Sequence, residues 1–128
     1  MKIFWRLTID IFIIISGLVI VTGWRALSPP KLPNYSIPSD YGLPYREVLF
    51  KTKDGLKLKG WLILSEKSEG VIICLHGYPA NKSDILHTLT FLYPTFSLLL
   101  FDFRAHGESG GRITHFGLKE FLDVEAAI

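Results

Sequence analysis

The pattern of hydrophobic and polar residues divides the chain into three parts. From Leu7 to Trp24 nearly every residue is apolar, and Asp10 is the only charged one. A helix of that length covers about 27 Å, against about 30 Å for the hydrocarbon core of a membrane. Residues 1–27 are therefore predicted to be a membrane anchor helix, which contacts the lipid bilayer through residues 7–24.

The apolar run also has another interpretation. Lys2 and Arg6 precede it, and basic residues before a short apolar core are typical of a cleaved signal peptide. The residues from Gly23 to Leu27 offer no small-x-small cleavage site and place bulky residues where a signal peptidase requires small ones, which favours an uncleaved anchor. Basic residues lie on both sides of the run, so the sequence predicts a single-pass membrane protein but leaves the side of the membrane open.

The second part, residues 28–44, is rich in proline. It carries five of the seven prolines of the chain: Pro29, Pro30, Pro33, Pro38 and Pro44. Proline fixes φ and lacks a backbone donor, so such a segment favours extended, unpaired backbone. We interpret it as a linker that carries the third part, residues 45–128, away from the membrane.

The third part begins with the pattern of a β-hairpin. Residues 46–52 and 56–64 are rich in β-forming residues, and Lys53-Asp54-Gly55 between them contains an Asp-Gly turn signal. The second run becomes continuously apolar toward its end, as expected of an antiparallel strand that enters a larger sheet.

Two apolar runs follow the hairpin, at residues 71–75 and 96–103, with a helical pattern from Ser83 to Leu92 between them. Runs that are apolar on both faces and joined by a helix are typical of parallel strands covered on both sides. Residues at helical spacing predict one more helix: Phe116, Glu120, Phe121, Val124 and Ile128. The fold class is therefore α/β, with an antiparallel hairpin leading into parallel strands.

Composition and charge exclude several functions. The formal net charge is +2, from 14 basic and 12 acidic residues without a basic cluster, so no nucleic-acid partner is expected. Cys74 is the only cysteine and lies in an apolar run, where we interpret it as a packing residue. The sequence has neither metal-ligand spacing nor a phosphate-binding glycine loop, so no metal and no cofactor are expected.

Two motifs, each at the end of an apolar run, carry a resemblance to a known family. They are Leu75-His76-Gly77-Tyr78-Pro79 and Phe101-Asp102-Phe103-Arg104-Ala105-His106-Gly107-Glu108-Ser109. After the hairpin, and in this order, they resemble the α/β-hydrolase superfamily over about residues 45–128. The resemblance implies an esterase-like serine hydrolase that acts on carboxylic ester bonds.

The resemblance also implies where an oxyanion hole lies. In this family the loop after the third strand supplies a backbone N–H to the oxyanion hole, so Tyr78 is the expected donor, supported by His76 and Gly77. Gly77 has no Cβ and lets the backbone approach a ligand closely. The alternative is that these residues form only a turn that ends the strand.

The remaining motif residues are expected to have structural roles. His76 and His106 are expected to hold loops by hydrogen bonding, because the catalytic base of the family comes late in the chain. We interpret Asp102 and Arg104 as a structural pair at the end of a strand.

Gly107-Glu108-Ser109-Gly110-Gly111 matches the nucleophile pattern G-x-S-x-G in letters. A nucleophile elbow joins a strand directly to a helix, whereas three residues follow the strand here and no helical pattern begins at Gly111. Gly107 and Ser109 are therefore assigned to the structural motif. The resemblance implies that the nucleophile, acid and base lie beyond residue 128, so residues 45–128 form a hydrolase domain truncated before the elbow, and this chain alone is predicted to be inactive.

Two functions remain open on the sequence. One is a membrane-anchored hydrolase whose full-length form takes a small ester-like substrate. The alternative is a non-catalytic, membrane-tethered protein that uses the front half of the fold to bind a partner. In the family sheet the third strand lies between the fourth and the fifth, so residues 71–75 are expected to have an open edge.

Overall fold

Four strands form one mixed sheet in the computed structural model, which describes residues 2–128. The strands are β1 (Tyr45–Lys51), β2 (Lys57–Ile63), β3 (Val71–Leu75) and β4 (Ser97–Phe101), in the spatial order β1-β2-β4-β3. β2 pairs antiparallel with β1 and with β4, whereas β3 and β4 are parallel. The predicted α/β class, the hairpin and the neighbouring parallel strands are confirmed.

Three α-helices accompany the sheet within the described residues: α1 (Lys2–Leu27), α2 (Lys82–Leu89) and α3 (Phe121–Glu125). Short 3-10 helices lie at Pro38–Tyr41 and Thr90–Leu92. The start of α2 is capped by Asn81, whose side-chain oxygen accepts the Ser83 backbone N–H at 2.8 Å. This satisfies one of the first N–H groups of the helix, which have no partner within it.

The apolar run at the start of the chain forms one uninterrupted helix. The 26 residues of α1 are about 39 Å long, which exceeds a hydrocarbon core of about 30 Å. Its described side chains are almost all exposed, and none of its most apolar window is buried inside the molecule. The predicted N-terminal apolar helix is confirmed, and its length and composition suit a membrane span, although a signal sequence passes the same test.

The last helix is shorter than its sequence pattern predicts. Phe116 and Gly117 have φ values of 48° and 99°, which a right-handed helix does not accommodate. The Glu120 carboxylate accepts the backbone N–H groups of His115 at 2.8 Å and Gly117 at 2.7 Å. These bonds stabilise a turn in place of the first predicted helical turn, and α3 begins only at Phe121.

Residues 28–44, which we name the strap, lie against the sheet domain instead of leading away from it. The Asn81 side-chain nitrogen donates to the carbonyl oxygens of Leu32 and Pro33, both at 3.0 Å. Leu43 is buried in the core. Proline removes a donor but leaves every carbonyl free to accept, so an extended proline-rich segment can still be bonded to a domain along its length.

The core lies between the sheet and α2. Its fully buried members come from the two central strands and the helix: Trp61, Ile63, Leu86, Leu98 and Leu100. All five residues of β4 are buried, as expected of a strand covered on both faces. Cys74 packs into the same cluster, and burial raises the pKa of its thiol to about 11, which suits a packing residue.

β3 is an edge strand within the described residues. It pairs with β4 on one side only, and its first residue, Val71, is 57% exposed. The expected open edge at residues 71–75 is therefore present. An unpaired apolar edge is a template for association with another strand.

Candidate functional site

The two motifs meet at one edge of the sheet. Because β3 and β4 are parallel, the loops that follow them leave the sheet at the same end, where α/β folds place their sites. His76, from the first loop, accepts the backbone N–H of Phe103, from the second, at 3.0 Å through Nε2. Its Nδ1 then carries the proton and donates to the Gly77 carbonyl oxygen at 2.9 Å. Burial lowers the pKa of His76, which favours this neutral form.

His106 packs against His76 but bonds within its own loop. The two imidazole rings lie 5.2 Å apart, and the Tyr78 ring lies 5.7 Å from His106. The His106 Nδ1 atom lies 2.9 Å from the Arg104 carbonyl oxygen, an acceptor, so Nδ1 donates there. Its Nε2 atom is buried and has no hydrogen-bond partner among the described residues.

Tyr78 lies at the mouth of the site. Its backbone N–H donates to no acceptor within residues 2–128. Its hydroxyl donates to the Ala26 carbonyl oxygen at 3.0 Å, and its ring lies 5.3 Å from that of Phe116. No atom outside residues 76–78 lies within 4 Å of the position that a Cβ on Gly77 would occupy, so the backbone beside Tyr78 is accessible to a ligand.

A cavity of about 210 Å³ opens beside these residues. Its walls include His76, Gly77, Tyr78, His106, Thr114 and Phe116. A wider depression of about 780 Å³ lies around Pro44, Leu64 and Tyr93 and shares no residue with either loop. A ligand bound by the Tyr78 backbone N–H would therefore lie in the smaller cavity.

Asp102 is not paired with Arg104, and that sequence-based interpretation is wrong. The Asp102 carboxylate accepts the backbone N–H of Lys82 at 2.8 Å and the Lys82 ammonium at 2.7 Å. It also accepts the backbone N–H of Glu108 at 2.8 Å. The carboxylate thus joins the start of α2 to the loop after β4.

Arg104 has two other carboxylate partners. The Nη2 atom of Arg104 lies 2.7 Å from Asp123 Oδ1, and its Nη1 atom lies 2.8 Å from Asp54 Oδ2. Hydrogen bonds from Arg104 hold the pKa of Asp54 at about 2, below its usual 3.8. Lys82, Asp54 and Asp123 come from α2, the hairpin turn and α3, so spacing along the sequence gave no signal that they are the partners.

Ser109 has the surroundings of a structural residue. It is fully buried, and its hydroxyl donates to the Asp102 carbonyl oxygen at 2.5 Å and accepts the Lys59 backbone N–H at 3.0 Å. Gly107 has a φ of 44°, and a Cβ there would overlap the Asp102 carboxylate. The loop therefore needs glycine at this position, and it presents no exposed serine above the sheet.

Within the described part of the chain, no group of three or more histidine, cysteine, aspartate or glutamate side chains is arranged to hold a metal ion.

No family model matches the chain, but individual proteins are similar to it. A thiohydrolase of Aspergillus aculeatus is 41% identical over 69 residues, 52% of this chain and 22% of that protein. An uncharacterized membrane protein of Saccharomyces cerevisiae is 29% identical over 93 residues, 71% of this chain and 32% of that protein. The chain thus spans about a fifth to a third of these relatives.

Solved structures cover more of the chain. An esterase from Pyrococcus furiosus matches with a TM-score of 0.71 and 34% identity over 80% of this chain and 40% of that structure. An α/β hydrolase from Sphaerobacter thermophilus shares the fold, with a TM-score of 0.53 at 21% identity. This chain has the fold of the front part of an α/β hydrolase. The resemblance to α/β hydrolases that its two motifs carry is thereby confirmed.

Proposed function

We propose that this chain is the front part of a membrane-anchored serine hydrolase that acts on carboxylic ester bonds, with the backbone N–H of Tyr78 as an oxyanion donor. One observation carries the proposal. The Tyr78 N–H, which donates to no acceptor among residues 2–128, lies after the carboxyl end of β3, beside a cavity, in a chain 34% identical to an esterase over 80% of its length.

The chemistry explains why an N–H is useful at this position. Attack on an acyl carbonyl moves negative charge to its oxygen, and a fixed donor stabilises that charge by about 3 to 4 kcal/mol. His76 holds the two loops together through Phe103, so the donor does not have to be ordered when the substrate arrives. A thioester passes through the same oxyanion, and the likeness to a thiohydrolase makes it the second bond to test.

The nucleophile, acid and base belong to the part of the full-length protein that follows residue 128 in this proposal. Ser109 is buried and bonded on both sides, which supports a search for the serine elsewhere. An oxyanion donor without an attacking group has no charge to stabilise, so the 128-residue chain alone is expected to be inactive.

The membrane anchor in this proposal is α1. Its length, its exposed apolar surface and the likeness to a yeast membrane protein support a span that is retained in the mature protein. A cleaved signal sequence is the competing interpretation. The mass of the mature N-terminus, measured on protein purified from membranes, distinguishes the two.

The test of the oxyanion role replaces one backbone atom in the full-length gene product. The hydroxy-acid analogue of tyrosine, introduced at position 78 by nonsense suppression, replaces the N–H with an ester oxygen. We expect kcat for a p-nitrophenyl ester to fall about 10²- to 10³-fold. The matched control is Tyr78→Phe, which keeps the N–H and loses only the hydroxyl bond to Ala26.

An unchanged kcat in the ester-linked protein would exclude Tyr78 as the donor. A stable full-length protein that hydrolyses neither an ester nor a thioester would instead favour the non-catalytic tethered protein.

A further inference from the structure

The end of α1 is bonded directly to the candidate site. The Ala26 carbonyl oxygen accepts the Tyr78 hydroxyl at 3.0 Å, and the Leu27 carbonyl oxygen accepts the Thr114 backbone N–H at 2.8 Å. Both carbonyls belong to the last turn of α1, where no later N–H of the helix is available to them. Tyr78 and Thr114 both line the cavity, so the cavity lies within hydrogen-bond distance of the point where α1 ends.

The strap also binds the sheet domain, through the loop that follows β4. The Lys31 ammonium bonds the Ser109 carbonyl oxygen, and the Asn34 side-chain nitrogen donates to Glu108 at 2.9 Å. The chain therefore turns back over the loop after β4 as soon as it leaves α1. The sheet domain is held close to the end of the helix, with the site on the side that faces it.

The loop from residue 112 to residue 119 contacts the end of α1 through Thr114 and exposes both apolar and basic side chains. Thr114 in its middle carries the bond to α1, while Phe116 and Leu118 are 60% and 81% exposed. The two residues at its ends, Arg112 and Lys119, are exposed as well. Exposed apolar side chains between basic ones are typical of surfaces that enter the interface of an anionic bilayer.

We propose that residues 112–119 lie in the membrane interface beside the end of α1, so that the site takes its ester from the bilayer, as a lipid-like molecule with a long acyl chain. The inference rests on the proposed function, and in particular on α1 as a membrane span. If α1 crosses the hydrocarbon core, Trp24 and Arg25 lie at headgroup level, where aromatic and basic residues anchor a helix.

Phe116 lies between the exposed surface of the loop and the proposed oxyanion donor. Its ring is exposed at the surface of the loop and contacts the Tyr78 ring, which borders the proposed oxyanion donor. An acyl chain that leaves the bilayer along Phe116 would bring its carbonyl to the cavity without crossing water. Exposure of an apolar chain to water is unfavourable in proportion to the chain's length, so this path favours long-chain esters over short ones.

The test measures the depth of single labels in vesicles of phosphatidylcholine and phosphatidylglycerol. A fluorophore is attached to Leu118→Cys, and in a second variant to Ile113→Cys, in the full-length protein in which Cys74 and any cysteine after residue 128 are replaced by alanine. Phe91→Cys is the control matched to Leu118, because Phe91 is an exposed apolar residue (76%, against 81% for Leu118) in the segment before β4, at the opposite end of the sheet from the site. Val19→Cys reports on α1.

Lipids brominated near the headgroup are expected to reduce the fluorescence at positions 118 and 113, lipids brominated along the acyl chain are expected to reduce it at position 19, and neither should change it at position 91. If the fluorescence falls at position 19 but not at positions 118 and 113, the inference is overturned and the membrane anchor is retained. This result is expected if another segment of the protein covers the loop. If the fluorescence at position 19 does not fall, both the inference and the membrane part of the proposed function are overturned. Hydrolysis of a water-soluble ester by the same preparations tests the catalytic part separately.

Discussion

The ammonium of Lys82 lies 2.7 Å from the carboxylate of Asp102, and both side chains are fully buried. The same ammonium lies 2.7 Å from Glu108 and 4.7 Å from the centre of the Trp61 ring. Lys82 begins α2 and Asp102 follows β4, so this one contact fixes the helix after the first motif against the loop of the second. The position of the Tyr78 loop depends on it.

Replacement of Lys82 by methionine is expected to lower the free energy of unfolding of the full-length protein by about 3 to 5 kcal/mol. Methionine preserves the length of the side chain but leaves the Asp102 carboxylate buried without its cation. Urea unfolding measures the change. The matched control is Lys59→Met, which removes a partly exposed pair with Glu108 and is expected to cost about 0.2 to 1 kcal/mol. Equal costs would show that the buried pair does not stabilise the fold.

Ser109→Ala is expected to destabilise the protein without lowering kcat. The change leaves the Lys59 backbone N–H and the Asp102 carbonyl oxygen without their hydroxyl partner, at a cost of about 1 to 3 kcal/mol. Thermal unfolding and ester hydrolysis by the full-length protein are measured on the same samples. A folded Ser109→Ala protein without activity would identify Ser109 as the nucleophile, against the geometry of its loop.

The link between the two loops is expected to weaken in acid. Burial lowers the pKa of His76 below its ordinary 6.5, so the unfolded state binds more protons as the pH falls below that value. The stabilising contribution of neutral His76 is therefore complete above pH 6.5 and is lost as the pH falls below it. Protonation also removes the acceptor of the Phe103 N–H.

Hydrogen exchange measures this effect locally, as the protection factor of the Phe103 amide. We expect the protection factor of the Phe103 amide to decrease as the pH is lowered below 6.5. The wild type and the control His87→Asn, which changes an exposed histidine, should both show this decrease. In His76→Asn the dependence should disappear. A protection factor that is independent of pH in the wild type would contradict the role of His76.

The open edge of β3 leads to a prediction about the behaviour of residues 45–128 when they are expressed alone. This segment is expected to self-associate, because an apolar edge strand pairs with another chain. Val71→Lys places a charge on that edge and should shift the sedimentation profile toward monomer. Leu49→Lys, on the opposite edge strand β1 and 71% exposed as wild type, should not. A monomer with a sharp, reversible thermal transition would refute the prediction.

Much of the sheet was predictable because its signals are local. The Asp-Gly turn and the two β-rich runs around it located the hairpin to within one or two residues of β1 and β2. The runs at 71–75 and 96–103 predicted a parallel pair, because strands covered on both faces are apolar on both faces. The motifs at the ends of these runs were enough to indicate the superfamily.

The errors share a physical cause, which is that local patterns do not specify distant partners. Helical spacing from Phe116 onward did not predict a turn held by the Glu120 carboxylate. Proline content did not predict that Asn81 would bond the carbonyls of the strap.

The sequence by itself determined the order of the elements, the apolar helix at the start and the resemblance to α/β hydrolases, because hydrophobic period and turn chemistry act between near neighbours. Only the tertiary structure decided which groups neutralise the buried charges, since Asp102 meets a lysine 20 positions away and Arg104 an aspartate 50 positions away. It also decided that α1 ends beside Tyr78. A buried ion must find its partner wherever packing brings one, and packing joins residues that the linear sequence keeps apart.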